Sequence, residues 1–204
     1  MFQTSTENIS YFILAISGIR LYDVLTDRPE RVFFIEEGGV MGYEAVKKYF
    51  EEHQIPNEII LLEESSATVE LAAKALGREP GEIAKTLAME LKDGTHFVLV
   101  VMGTARIDNR KYKDRFGCKA KMLSFEETQA VTGHPVGGVC PFGLPEGIKV
   151  FLDESLKAYG SVFPAAGTGN SAVEFTPEDL ARVTGGVWVD VTKDSDDAQL
   201  RKKV

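Results

Sequence analysis

Closely spaced helix and strand signals constrain the fold of this chain more than any other feature of its sequence. Apolar residues recur at helical spacing over residues 69–76, and the glycine at position 77 is a typical helix stop. Asp93-Gly94 separates the segments 86–91 and 96–102 and predicts a β-hairpin. Because the helices and strands are short and follow no regular strand–helix–strand order, the pattern favours an α+β domain built around a mixed sheet.

The length and composition fit one globular domain. The chain has 204 residues, of which 44% are apolar and 26% are charged, and these values are close to the average for soluble proteins. A chain of this size buries roughly 70% of the surface that it exposes when unfolded, so it can form a core without disulfides or metals. We place the domain at residues 41–194, with an N-terminal extension over 1–40 and a C-terminal tail over 195–204.

The N-terminal forty residues contain an apolar run at residues 11–19. A membrane-spanning helix needs about 20 residues, so this run is too short and no membrane contact is expected. Residues 36–39 (EEGG) are what a purine-rich ribosome-binding site would encode if it were translated. One hypothesis is therefore that Met41 is the true start. The alternative is that residues 1–40 form a native arm that packs on the domain or on a neighbouring chain.

The charge balance excludes an extended basic surface of the kind that coats nucleic acid. The 31 acidic and 23 basic residues give a net charge of -8. Residues 106–121 are the exception, with seven basic and two acidic side chains. This local excess is suited to phosphate contacts, and the alternative is a solvated helix face. The candidate tRNA-binding residues within it are Arg106, Arg110, Lys111 and Lys113.

Two features have residue types suited to ligand chemistry. The first is the loop 137–143, in which three glycines let backbone N–H groups approach a ligand closely. The alternative for this loop is a tight structural crossing without a ligand. The second feature is Lys85, which has core-type residues on both sides. A lysine in that setting either extends its ammonium group to the surface or directs it into a cleft.

Other reactive residues form weaker patterns. Cys140 and His134 are a nucleophile and a base only if the fold brings them together. The three histidines and two cysteines lack the short spacings of a zinc site, so no metal is expected. Neither GxxxxGK[ST] nor a GxGxxG motif after a strand is present, so no nucleotide cofactor is expected. Two cysteines are too few for a disulfide framework, which favours the reducing cytoplasm.

Three segments taken together resemble the YbaK/ProX/EbsC family of aminoacyl-tRNA editing domains. They are Thr68-Val69-Glu70-Leu71-Ala72-Ala73, Ile83-Ala84-Lys85-Thr86-Leu87 and Gly137-Gly138-Val139-Cys140-Pro141-Phe142-Gly143. The likeness continues through residues 152–156, 166–170 and 176–180, and it covers about residues 43–192.

The resemblance implies a fold, an activity and a site. It implies a mixed, mostly antiparallel and barrel-like sheet with surrounding helices, and a deacylase that hydrolyses mischarged aminoacyl-tRNA, often tRNAPro carrying alanine or cysteine. By position, Lys85 matches the family's essential lysine. The substrate-binding residues that it implies are Gly137, Gly138, Val139, Cys140, Pro141, Gly167 and Asn170. Cys140 stands where many relatives carry serine, which bears on substrate selectivity.

The prediction is therefore a cytoplasmic trans-editing hydrolase that acts on misacylated tRNA without a cofactor. A partner synthetase, prolyl-tRNA synthetase or another, is a further hypothesis. Two alternatives stay open. One is a non-catalytic module that binds an aminoacyl or nucleotide group in the same cleft or contacts a synthetase, and the other is a cysteine hydrolase that uses Cys140. The editing prediction requires that Lys85 and the loop beginning at Gly137 border one hollow.

Overall fold

The computed structural model describes residues 37–193. The described residues from Gly38 onward belong to one compact unit of the chain. The apolar run at residues 11–19 and the tail at 195–204 lie outside the described residues, so what the sequence predicts for them stays a prediction. Helix α1 covers Glu37–Glu52, and the start of translation at Met41 also stays a prediction.

The described residues form short helices and strands in irregular alternation, as the sequence predicts. The helices are α1, α2 (Val69–Leu76), α3 (Asn109–Phe116), α4 (Phe125–Thr132) and α5 (Pro177–Thr184). The strands are β1 (Ile59–Leu61), β2 (Ile83–Glu90), β3 (His96–Met102), β4 (Lys149–Asp153), β5 (Phe163–Pro164), β6 (Ser171–Val173) and β7 (Val187–Val189). Single 3-10 segments precede β2 at Pro80–Glu82 and follow β4 at Glu154–Ala158.

Capping residues fix the ends of α2 and α4. At α2, the Thr68 hydroxyl accepts a hydrogen bond from the Leu71 N–H, and Gly77 follows the helix in the left-handed conformation with φ 64°. At α4, Ser124 and Glu127 form a capping box in which each side chain bonds the other residue's backbone N–H. The boundaries that the sequence predicts for α2 are therefore confirmed.

A five-stranded mixed sheet in the order β5-β2-β3-β4-β7 forms the centre of the domain. β2 and β3 pair antiparallel as the hairpin that Asp93-Gly94 predicts, whereas β5, β4 and β7 join by parallel pairing. β1 and β6 form a separate antiparallel pair. The predicted single-domain α+β fold with a mixed sheet is confirmed. The sheet is open and not barrel-like, because β5 and β7 end it on opposite sides and do not pair with each other in the described structure.

The core is built on this sheet and is completed by aromatic side chains. β3 is buried from Phe97 to Met102, as expected of a central strand. Phe142, in the loop 137–143, is fully buried and packs edge-on against Phe50 of α1 with 5.1 Å between ring centroids. This contact fixes one end of the loop to the core. None of the helices in the described part of the chain combines the length and the apolar character that a bilayer crossing requires.

Candidate active site

A cavity of about 320 Å³ is bordered by α2, β2, α4 and the loop 137–143. Lys85 borders it from β2, and Gly137 and Val139 border it from the loop. The structure therefore brings the lysine and the first part of the glycine-rich loop to one hollow.

Two backbone carbonyls hold the Lys85 ammonium group in place. Its Nζ donates hydrogen bonds to the carbonyl oxygens of Gly103 and Ala105, both at 3.1 Å. An ammonium group has three N–H donors, so one is left for a ligand. Burial lowers the pKa of Lys85, the Glu70 carboxylate raises it, and the Arg106 guanidinium lowers it further. The side chain is half-buried and borders the cavity.

The carbonyls that hold Lys85 depend on a close approach of the chain at Gly103. A Cβ atom at this position would collide with the Pro80 carbonyl oxygen and would lie 2.7 Å from Cγ1 of Val69. Only glycine lets the end of β3 come this close to α2 and to the turn before β2. Nothing in the local sequence marks Gly103, so sequence reasoning missed it as a residue that supports the site.

The loop 137–143 contributes two residues to the cavity wall whose amides have no partner in the described part of the chain. Within residues 42–193, the N–H groups of Gly137 and Val139 have no hydrogen-bond partner, whereas the Gly138 N–H donates to the Pro135 carbonyl at 2.9 Å. The two residues with available donors are the two that border the cavity. These two amides are therefore the candidate backbone donors for a carbonyl oxygen or an anion in the cavity.

Gly138, Cys140 and Pro141 do not border the cavity, and all three are buried. A Cβ atom at Gly138 would lie 2.6 Å from the Cα of Thr168, so this glycine allows two backbone segments to cross. The structure thus fits both interpretations of the loop, the ligand-binding loop and the tight crossing. One part of it faces the cavity, and the other part is the tight structural crossing.

Gly167 and Asn170 also support the structure and do not border the cavity. Gly167 has φ 88°, and a Cβ atom on it would collide with the Gly42 carbonyl. The Asn170 side-chain amide donates to the Leu62 carbonyl at 3.3 Å, and the Asn170 backbone carbonyl accepts from the Leu62 N–H at 2.8 Å. Their neighbour Ser171 borders the cavity instead.

Cys140 and His134 meet in the core, although no sequence signal places them together. The Cys140 Sγ lies 3.7 Å from the His134 Nδ1, and both side chains are fully buried. Burial raises the pKa of Cys140 to about 12 and lowers the pKa of His134 to about 4. A cysteine nucleophile acts as its thiolate. Because this pair is neutral near pH 7 and lies off the cavity, the cysteine hydrolase alternative loses its chemical basis.

The four candidate tRNA-binding residues do not share one setting. Arg106 lies close enough to the cavity lysine to lower its pKa, and Arg110 and Lys113 are exposed on α3. Lys111 is different, because its Nζ donates to the Asp190 carboxylate at 2.8 Å and so ties α3 to the segment after β7. All four stay predicted tRNA contacts, and in Lys111 the ammonium group already has a carboxylate partner.

The polar side chains that border the cavity are suited to hydrogen bonding and not to metal binding. Apart from Lys85 they are hydroxyl groups, from Ser66, Thr68, Thr86, Thr128 and Ser171. No carboxylate, imidazole or thiol occurs among the described residues that border it, and within residues 42–193 no group of three or more His, Cys, Asp or Glu could hold a metal ion. The described wall thus offers a ligand one ammonium group and several hydroxyl groups.

An exposed apolar rim is a feature that sequence reasoning missed. Met122, Phe125 and Val136 border the cavity, although 58%, 60% and 44% of their respective surfaces are exposed. Large apolar side chains that stay exposed beside a cavity are typical of a ligand-binding surface. An apolar residue in a sequence pattern is most simply assigned to the core, which is why these three were not singled out.

The family model for the aminoacyl-tRNA editing domain matches residues 63–183. The chain belongs to this family. The match spans both Lys85 and the loop 137–143, and it confirms the resemblance drawn from the sequence motifs.

Similar proteins and structures agree with this assignment. The uncharacterized protein YwhH of Bacillus subtilis is 44% identical over 155 residues, which are 76% of this chain and 99% of that protein. The "Putative Cys-tRNA(Pro)/Cys-tRNA(Cys) deacylase EbsC" of Enterococcus faecalis is 28% identical over 70% of this chain and 88% of that protein. A crystal structure of "a putative trans-editing enzyme for prolyl tRNA synthetase" has a TM-score of 0.69 at 28% identity, covering 78% of this chain and 99% of that one.

Proposed function

We propose that the protein is a trans-editing deacylase that hydrolyses the ester bond of mischarged aminoacyl-tRNA. Membership of the editing family supports the reaction class, and the names of the EbsC relative and of the similar crystal structure support action in trans. The observation that carries the proposal is one cavity bordered by a fixed ammonium group and by two residues whose amides have no partner among the described residues.

The reaction needs little side-chain chemistry, because an aminoacyl ester is already activated. Water attacks the ester carbonyl carbon, and the bond from that carbon to the ribose oxygen breaks. The proton that the water loses balances the one that the ribose oxygen gains, and the products are the free amino acid and tRNA. Holding the ester and a water molecule in the right geometry supplies much of the rate. The Gly137 and Val139 amides stabilise the negative charge that develops on the carbonyl oxygen.

Lys85 anchors the tRNA end of the substrate. Its remaining N–H binds the terminal ribose or phosphate, while the bonds to Gly103 and Ala105 keep the ammonium group from moving. A preorganised donor loses less conformational freedom on binding than a free lysine would. Arg106 adds positive charge near Lys85, and the exposed Arg110 and Lys113 extend the phosphate-binding surface.

Small residues in the cavity wall favour a small acyl side chain. The alanines that border the cavity are Ala67, Ala72, Ala84, Ala88, Ala165 and Ala172. We assign alanine or cysteine on tRNAPro as the misplaced amino acid. A difference of one methylene in such a pocket is worth only about 1–3 kcal/mol, so the enzyme should show graded preferences and not absolute exclusion.

The proposal also covers the setting of the protein. We propose a cytoplasmic location, which a tRNA substrate supports, and the proposed partner is a synthetase that produces the mischarged tRNA, prolyl-tRNA synthetase or another. We keep residues 41–194 as the editing domain and 1–40 as an extension. The mass of the endogenous protein tests whether translation starts at Met41.

A panel of charged tRNAs tests the proposal against its rival. Wild-type protein is incubated with tRNAPro carrying alanine, cysteine, serine or proline, and hydrolysis is compared with the spontaneous rate. The deacylase should release alanine or cysteine rapidly and spare the cognate proline. If the protein binds these tRNAs and accelerates the hydrolysis of none, it is the non-catalytic binding module.

A further inference from the structure

The outer edge of β2 has a gap one residue wide. On this edge, β2 pairs with β5 only through Ile83 and Ala84. Pairing resumes where the Leu123 N–H donates to the Ala88 carbonyl at 3.0 Å. Thr86 lies between the two pairings and borders the cavity.

The register places both backbone polar groups of Thr86 at this open edge. In an antiparallel strand, alternate residues direct their N–H and C=O groups to opposite edges. The Leu91 N–H donates to the Thr95 carbonyl at 2.9 Å within the hairpin, so the odd-numbered residues of β2 face β3. Ala88 and Glu90 bond across the other edge. Thr86, two residues before Ala88, faces the same way.

The side chain of Thr86 is also unpaired. Its Oγ1 atom is buried and has no hydrogen-bond partner in the described part of the chain. A buried polar group without a partner is destabilising until something satisfies it. The hydroxyl is too deeply buried to meet an occupant of the cavity, so what Thr86 offers there is its backbone donor and acceptor.

We infer that the aminoacyl group of the substrate binds to Thr86 as a one-residue extension of the sheet. An aminoacyl ester has an amino group and a carbonyl group on either side of its Cα, as a residue in a strand has. Its ammonium group donates to the Thr86 carbonyl, and its ester carbonyl accepts from the Thr86 N–H. These are the two bonds that paired residues exchange in an antiparallel ladder. This inference rests on the proposed deacylase function and assigns the recognition of the substrate's α-amino group.

The binding mode has two consequences for the reaction. A carbonyl oxygen has two lone pairs, so the ester carbonyl accepts from Thr86 and from an amide of the loop at Gly137 at the same time. The charge that develops on it is then stabilised from two walls of the cavity. In addition, an acyl group that lacks the α-amino group loses the bond to the Thr86 carbonyl, so the protein should distinguish amino acid esters from simple acyl esters.

A pair of substrates tests the inference on the wild-type protein. One is alanyl-tRNAPro and the other is propionyl-tRNAPro, which lacks only the α-amino group. Each enzymatic rate is divided by the spontaneous rate of the same ester, because the amino group also activates the ester itself. A charge-assisted hydrogen bond predicts an acceleration about 10-fold to 100-fold larger for the alanyl ester. Equal acceleration overturns the inference and leaves the deacylase proposal standing, whereas acceleration of neither ester, nor of any member of the charged-tRNA panel, overturns both.

Variants of β2 test the assignment to the backbone of Thr86. Thr86→Pro removes the N–H at the open edge, where proline is tolerated, and should slow both esters about tenfold or more while the protein stays folded. Leu87→Pro is the matched control, because the Leu87 N–H faces β3 and its loss should unfold the hairpin. Thr86→Val keeps both backbone groups and should still prefer the alanyl ester. If Thr86→Pro folds and hydrolyses both esters at the wild-type rate, the backbone assignment is wrong; if it does not fold, the comparison of alanyl and propionyl esters decides.

Discussion

Cys140 should be dispensable for deacylation, although it lies within the family's loop motif. Its thiol is fully buried and its pKa is raised to about 12. At pH 7 that value leaves only about one thiolate in 100,000 molecules. The neighbouring imidazole offers no compensation, because the pKa of His134 is lowered to about 4 and the pair carries no charge that would stabilise a thiolate. Cys140→Ala should therefore hydrolyse its mischarged tRNA at close to the wild-type rate.

Single-turnover hydrolysis by wild-type protein and Cys140→Ala, with folding checked by circular dichroism, measures this directly. The pH dependence adds a second readout, because a thiolate mechanism would gain about tenfold in rate per pH unit from about pH 7 to pH 9. A folded Cys140→Ala protein without activity would refute the reasoning. So would such a pH profile in the wild type together with its loss in the variant.

Three further predictions concern acid stability, packing and charge. The pKa of His134 falls from 6.5 to about 4 on folding, so its contribution to the free energy of unfolding, about 3 kcal/mol, is present above pH 6.5 and is lost as the pH falls towards 4. Urea titrations at several pH values should therefore show that the free energy of unfolding declines less steeply in acid for His134→Gln than for the wild type. An equal decline in the two proteins contradicts this. Gly138→Ala should lower the Tm by about 2–10 °C, because its Cβ would lie 2.6 Å from a backbone atom, and an unchanged Tm argues against the close crossing. Arg110→Glu combined with Lys113→Glu should weaken tRNA binding and reduce its salt dependence by about two phosphate contacts; if the exposed control Lys149→Glu has the same effect, the surface is not specific.

Local signals predict much of the fold, because they act over few residues. Helix α2 begins and ends where its cap and stop residues place it, and the hairpin turns at Asp93-Gly94. The openness of the sheet has no such signal. Which strands lie at its edges depends on β5 and β7, whose pairings span only two and three residue pairs. Elements this short leave almost no pattern in a sequence.

The candidate site, like the fold, could be predicted from the sequence only in part. The sequence marks Lys85 and the loop 137–143 as unusual, but it does not show which loop amides are already bonded, since the Gly138 N–H finds its acceptor only when the chain folds back on itself. The Lys111 to Asp190 pair joins residues far apart in the chain, so a charge count cannot show that this ammonium group already has a partner. The gap at Thr86 depends on how β3, β5 and the segment at Leu123 each pair with β2, so the sequence of no single segment predicts it.

The most direct test of the account is single-turnover hydrolysis of the preferred mischarged tRNA by Lys85→Met, which keeps the aliphatic stem and removes the ammonium group. We predict a loss of about 100-fold or more in a protein that remains folded. A folded Lys85→Met protein with the wild-type rate would contradict the claim that this cavity hydrolyses the ester.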